Sequence, residues 1–91
     1  MTANSAFMKD PNAILDYAVD WSVWLDTDTI ATVTWTVPTG ITQTGSSYTA
    51  TVAYIWLGGG TAGAQYDLVC RITTWYGRTE DRTITIYVRE R

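Results

Sequence analysis

Residues 56–63 read WLGGGTAG, three consecutive glycines with a fourth close behind, between two aromatic-rich runs. A glycine cluster either cradles a phosphate ahead of a helix or turns the chain between two strands. The residues downstream separate the two. A phosphate loop works because glycine backbone amides converge on the anion and a helix N-terminus follows, and a Walker loop closes on Lys and Ser/Thr. Here the run GGGTAGAQYDLVCRIT, 58–73, has no lysine and passes directly into alternation, with Tyr66, Leu68, Cys70 and Ile72 in one phase against Asp67, Val69, Arg71 and Thr73. That is a strand pattern. In immunoglobulin-like sandwiches a tyrosine near the start of strand F, two residues before an inward position, bonds back to the preceding connection. AGAQYDL has that spacing, with Tyr66 as the corner and Leu68 as the core residue. Gly58, Gly59, Gly60 and Gly63 then serve a sheet-crossing turn, where glycine accepts positive φ without a Cβ clash.

Working outward, the same alternation recurs. IATVTWTV, 30–37, sets Ala31, Val33, Trp35 and Val37 on one face and threonines on the other, which makes Trp35 a structural residue; PTG at 38–40 ends the strand. A weak strand at 41–44 precedes a loose TGSS, and 48–57 places Tyr48, Ala50, Val52, Tyr54 and Trp56 in one phase. TWYGR, 74–78, reads as a hairpin that returns through Ile84, Ile86 and Val88. Near the N-terminus, Leu15, Tyr17, Val19, Trp21 and Val23 alternate with Asp16, Ala18, Asp20 and Ser22. A helical reading competes there, since Ile14, Tyr17, Ala18, Trp21 and Leu25 also fall at helical spacing after Asp10–Pro11. Tyr, Val and Trp favour a strand over 15–22, and alternate aspartates suit an edge.

These signals describe an all-β chain, an immunoglobulin- or fibronectin-III-like antiparallel β-sandwich of about six to seven strands. Ninety-one residues make one domain, with five Trp and six Tyr to build its core. Residues 1–9 read as a flexible N-terminal arm and 10–91 as the sandwich.

The inventory argues against chemistry. Without histidine, the usual triads and histidine metal sites do not form. Cys70 lies in an apolar phase, as a buried and inert thiol would. Asp26 and Asp28 in DTDT lack the glycine and closing glutamate of an EF-hand, and read as a turn and strand start. No cofactor is expected. Net charge is −3 with no basic stripe for phosphates, so nucleic acid is not an expected partner. No run approaches the ~18 apolar residues of a membrane span, and MTANSAFMKDP lacks the layout of a signal peptide, so neither membrane nor Sec-type export is expected. Residues 1–40 carry five aspartates against Lys9, while the remainder carries five arginines against four acidic residues. That asymmetry either supports head-to-tail docking between copies or is a solvated surface.

Surface for partners remains. Trp75 and Tyr76 stand at the tip of the TWYGR hairpin beside Arg78, the composition of a binding hot spot, unless Trp75 folds back over the sheet. Trp24, out of phase with Trp21, either joins them or closes the end of the core.

The order and spacing of these elements resemble a family of small tailed-phage proteins, the fiber–tail adaptors. The shared features begin with DP at Asp10–Pro11, LDY at Leu15–Tyr17, DW at Asp20–Trp21 and WL at Trp24–Leu25. DTI at Asp28–Ile30, WT at Trp35–Thr36, WL at Trp56–Leu57 and GGT at Gly59–Thr61 follow. Gly63, Tyr66, RIT at Arg71–Thr73, GR at Gly77–Arg78 and DR at Asp81–Arg82 complete the set. Gly58 and the pair Trp75–Tyr76 depart from the pattern. The resemblance implies a virion structural protein with an immunoglobulin- or fibronectin-like sandwich, joining tail fibers to the tail or baseplate. Its partners would be other phage structural proteins, bound in several symmetric copies after assembly in the host cytoplasm. Two other readings fit a small sandwich without catalytic groups: a capsid decoration or cement protein, and a carbohydrate-binding adsorption module stacking sugars on Trp24, Trp75 and Tyr76.

Overall fold

Where side chains alternate between apolar and polar, the backbone extends, because successive residues of a strand face opposite sides. The computed structural model describes residues 5–90. In chain order these are β1 (Ser5–Lys9), β2 (Leu15–Asp20), α1 (Ser22–Leu25), β3 (Ile30–Thr36), β4 (Ile41–Tyr48), β5 (Val52–Gly59), β6 (Gln65–Thr74) and β7 (Thr79–Val88). Two sheets result, ordered β1-β7-β6-β3 and β2-β5-β4. The chain is all-β, its seven strands arranged as a sandwich. β1 lies at the edge of its sheet, beside β7.

One core fills the space between the sheets. Tyr17 and Val19 of β2, Ala53, Ile55 and Leu57 of β5, and Ile41 of β4 meet Leu68, Cys70, Ile72, Ile84, Ile86 and Val88 of the other sheet. Val33 and Trp35 pack against this cluster, so Trp35 holds β3 to the core.

Several expectations are corrected. Residues 5–9 are not a loose arm but strand β1, paired in parallel with β7 from Ser5–Ile84 to Lys9–Val88; residues 1–4 lie outside the described residues. The sandwich is therefore not wholly antiparallel. The physical reason is an inward face that the polar composition conceals. Phe7 packs on the core with its ring 5.1 Å from that of Tyr17. Lys9 is buried, and its ammonium donates to the carbonyls of Gly59 (2.7 Å) and Asp10 (2.9 Å). A buried cation is tolerated only with such partners. Desolvation nevertheless draws the Lys9 pKa below its ordinary value, against the opposing pull of Asp10.

TGSS is not loose either: it belongs to β4, with a bulge between Gln43 and Gly45. The turn lies at 49–51, where Thr49 N–H donates to Val52 O (2.8 Å), so residues 48–57 are not one strand. β2 stops at Asp20, whose Oδ1 accepts from the N–H of Ser22 (2.9 Å) and turns the chain into α1. The strand reading of 15–22 holds as far as Asp20, and the helical reading that begins at Asp10–Pro11 is overturned, helix being confined to the single turn Ser22–Leu25.

The quoted glycines divide. Gly58 and Gly59 finish β5, and Gly60 and Gly63 turn the chain into the opposite sheet with φ of +96° and +87°. A Cβ on Gly60 would lie 2.7 Å from Val88 Cγ2, so the connection is pressed onto the core. Tyr66 Oη accepts from the N–H of Thr61 (3.0 Å), bonding the start of β6 back to this connection.

Candidate functional site

At one end of the sandwich, α1 and the loop after it meet the β6–β7 turn, roughly fifty residues away in the chain. The turn is closed on itself, with Thr74 N–H donating to Arg78 O (2.8 Å) and Gly77 at positive φ. It is then fastened to the α1–β3 loop. Trp75 N–H donates to Thr29 O (3.1 Å), Tyr76 N–H to Asp28 Oδ1 (3.2 Å), Arg78 Nε to Asp28 Oδ2 (3.1 Å) and an Arg78 terminal nitrogen to Leu25 O (3.0 Å).

Asp28 is the centre of this junction. Its side chain is fully buried. Desolvation raises its pKa, but bonds from the Thr74 hydroxyl, Thr29 N–H, Arg78 and Tyr76 N–H outweigh burial and hold the carboxyl below its usual range. The expectation of a turn at DTDT is met, though the aspartate does more than turn the chain.

Arg78 also lies over the Trp24 ring, 4.2 Å from its centroid. Trp24 meets Trp21 edge-on at 5.5 Å, and Arg82 covers Trp21 at 4.3 Å. The four side chains form a ladder of alternating guanidinium contact and aromatic packing that closes this end of the core. Trp24 is packed against the core and Arg78, its side chain 42% exposed, is tied to Asp28, so neither side chain stands free. Trp75 and Tyr76 do: they are 73% and 69% exposed on a backbone fixed by the bonds above. Trp75 does not fold back over the sheet.

Val23 joins them at 93% exposure. Alternation had placed it in the apolar phase; the turn at Asp20–Ser22 breaks that phase and points it outward. The signal in the sequence is the Asp-x-Ser spacing, which favours a side-chain-to-backbone turn. Exposed apolar residues also occur toward the other end of β2, at Met8 (58%) and Ile14 (65%).

Among the described residues there is no cavity and no group of three or more metal-ligating side chains. Cys70 is buried, and desolvation pushes its thiol up to about 11. No helix among the described residues is long and apolar enough to cross a membrane. What this end offers is two aromatic side chains and a valine on a braced platform, a geometry for holding another surface.

No curated protein matches the chain. A protein-family model described as podophage GP4 fiber-tail adaptor protein gp77 matches residues 9–87. The chain accordingly belongs to this fiber-tail adaptor family of phage structural proteins.

Proposed function

We propose that the protein is a non-enzymatic adaptor that docks as a rigid body, its hairpin end engaging one structural partner. The observation that carries this reading is the exposure of Trp75 and Tyr76 on a turn braced by Asp28 and Thr29. Large exposed aromatics on a fixed backbone lose little entropy on association, the condition under which hot spots form. An adaptor requires a second contact surface, for which Met8 on β1 and Ile14 beside Gly58 of the other sheet are separate exposed apolar candidates. The partners are the fiber on one side and the tail or baseplate on the other, in several symmetric copies on the virion tail, assembled in the host cytoplasm. Neither nucleic acid nor membrane has a role.

The test is binding of the purified chain to immobilised fiber and tail proteins, with Trp75→Ala and Tyr76→Ala compared with the parent. Hot-spot truncation costs about 2 kcal/mol or more, so each variant weakens one partner's binding at least tenfold at unchanged thermal stability. A parent that binds neither partner, or gold label over the head in intact particles, overturns the reading. Head labelling would favour capsid decoration.

A further inference from the structure

We propose that the free edge of β3 pairs, antiparallel about a two-fold axis, with the β3 edge of a second copy of the chain, joining two four-stranded sheets into one. This goes beyond the adaptor reading and uses a different surface. β3 bonds to β6 along one side only. On its other side the N–H and C=O groups of alternate residues have no strand partner, which makes a template for a further strand. Tyr48 Oη donates to Ala31 O (2.8 Å) at the start of this edge, and the regularly paired stretch Thr32–Thr36 lies beyond it.

The apolar side of the strand is incomplete as well. Val33, Trp35 and Val37 pack against the core yet stay half-buried, as does Ala31. Across the sandwich, Gln43, Ser46 and Tyr48 of β4 pair with the core residues Leu57, Ile55 and Ala53 of β5 and so share their inward phase, but all three are exposed. The two sheets therefore do not close over each other along β3 and β4. A strand added to β3 completes this side only if its inward residues are apolar and its outward ones polar.

The strands themselves choose the occupant. Pairing β2 with its copy about Ala18 would set Asp16 against Asp20, β4 is bulged between Gln43 and Gly45, and β1 has only five residues; each is a feature that blocks edge pairing. β3 has seven residues with no charge and no proline, and its one irregularity falls at its start, between Ile30 and Thr32. Two copies of it meet without like-charge repulsion. IATVTWT also satisfies its own demand. With Thr34 on the axis, Thr32 faces Thr36 and Val33 faces Trp35, each twice, so threonines line the outer side and apolar residues the inner. Thr–Thr and aromatic–β-branched pairs both stabilise an antiparallel ladder. Thr34 is the middle of Thr32–Thr36, so this register uses the whole regular stretch, and the interface is the same patch on both copies.

The experiment measures the mass of the full chain by sedimentation equilibrium, from low micromolar to near-millimolar concentration. A reversible monomer–dimer equilibrium is expected. Thr34→Lys, at an exposed position on the axis, sets two ammonium groups against each other and should weaken the dimer about fivefold or more. Ser47→Lys puts the same charge at an exposed position of β4 and should leave the equilibrium unchanged, as should Trp75→Ala. Nitroxide labels introduced singly through Thr32→Cys, Thr34→Cys and Thr36→Cys guard against a lysine variant that fails to fold, since the buried Cys70 stays unlabelled. The two labels of the Thr34→Cys dimer should be the closest; those of the other two are offset along the strands by four residues, about 13 Å. A chain that is monomeric throughout overturns the proposal. So does a dimer untouched by Thr34→Lys, and so do labels nearer each other in Thr32→Cys or Thr36→Cys than in Thr34→Cys. Fiber or tail binding lost in Thr34→Lys of a monomeric chain also overturns it, and gives the edge to another protein's strand. Failure of the hairpin variants to affect partner binding leaves this proposal intact, so the two readings fail separately.

Discussion

Replacing Gly60 by alanine tests whether the glycine run is there for backbone conformation alone or for contact with the core. Two costs apply. At φ +96° a side chain meets backbone crowding worth about 1–2 kcal/mol. The new Cβ also falls 2.7 Å from Val88 Cγ2, where carbon atoms rest at about 3.5–4.0 Å. Val88 is fully buried and has no free space to retreat into, so displacing it adds an overpacking cost of about 1–3 kcal/mol. Gly63 is the matched control: its φ is +87°, but a Cβ there meets nothing within 4 Å. Gly63→Ala should therefore lose about 1–2 kcal/mol, and Gly60→Ala about 2–5 kcal/mol. In urea unfolding the two midpoints separate while the slopes agree, and in thermal unfolding Gly60→Ala melts at least about 4 °C below Gly63→Ala. Trimming the obstacle closes the test. In Val88→Ala/Gly60→Ala the losses should fall short of additivity by about 1–3 kcal/mol, because the clash has gone. Equal losses for the two glycine variants, or strict additivity in the cycle, would refute the reasoning.

Acid sensitivity should centre on the hairpin junction. Asp28 has a folded pKa below the ordinary aspartate value, so its contribution is fully present above the unfolded pKa and is lost as pH falls through the folded pKa. Asp20 and Asp81 shift in the same direction, so urea midpoints should drop below about pH 4, and Asp28→Asn should flatten that limb. An unchanged acid limb in Asp28→Asn would be evidence against the junction's role. Cys70, with its thiol pushed up to about 11, should ignore a thiol reagent at pH 8 in the native protein and react fully in denaturant. Lys9→Met keeps the aliphatic stem but strips donors from Gly59 O and Asp10 O, which should cost about 1–3 kcal/mol by urea unfolding. Wild-type stability in that variant would mean that β1 is held without the lysine.

Legibility followed burial of one face. β3, β6 and β7 alternate apolar and polar because one side faces the core and the other water, so their phase reads from composition. In β5 both phases are apolar or aromatic. Tyr54 and Trp56 were as apparent as Ala53, Ile55 and Leu57, and the alternation could not say which set turns inward. Lys9 misled for the converse reason: a charged residue reads as exposed unless a carbonyl fifty positions away is known to receive it. Arg78 and Trp24 were visible as candidate contacts, but their stacking on each other and the bond from Arg78 to Asp28 depend on two distant loops meeting.

By itself, the sequence determined an all-β chain, the crossing role of the glycine run, the hairpin with its aromatic tip and the inventory without histidine. These are local properties, set by period-2 patterning, by backbone freedom at single glycines and by residue chemistry. Tertiary structure alone decided that β1 joins β7 in parallel, that Asp28 braces the hairpin, that Val23 faces outward and that Tyr54 and Trp56 lie, partly buried, on the outer side of β5. Each of these depends on where two separated segments meet, and that is set by competition for burial between the sheets.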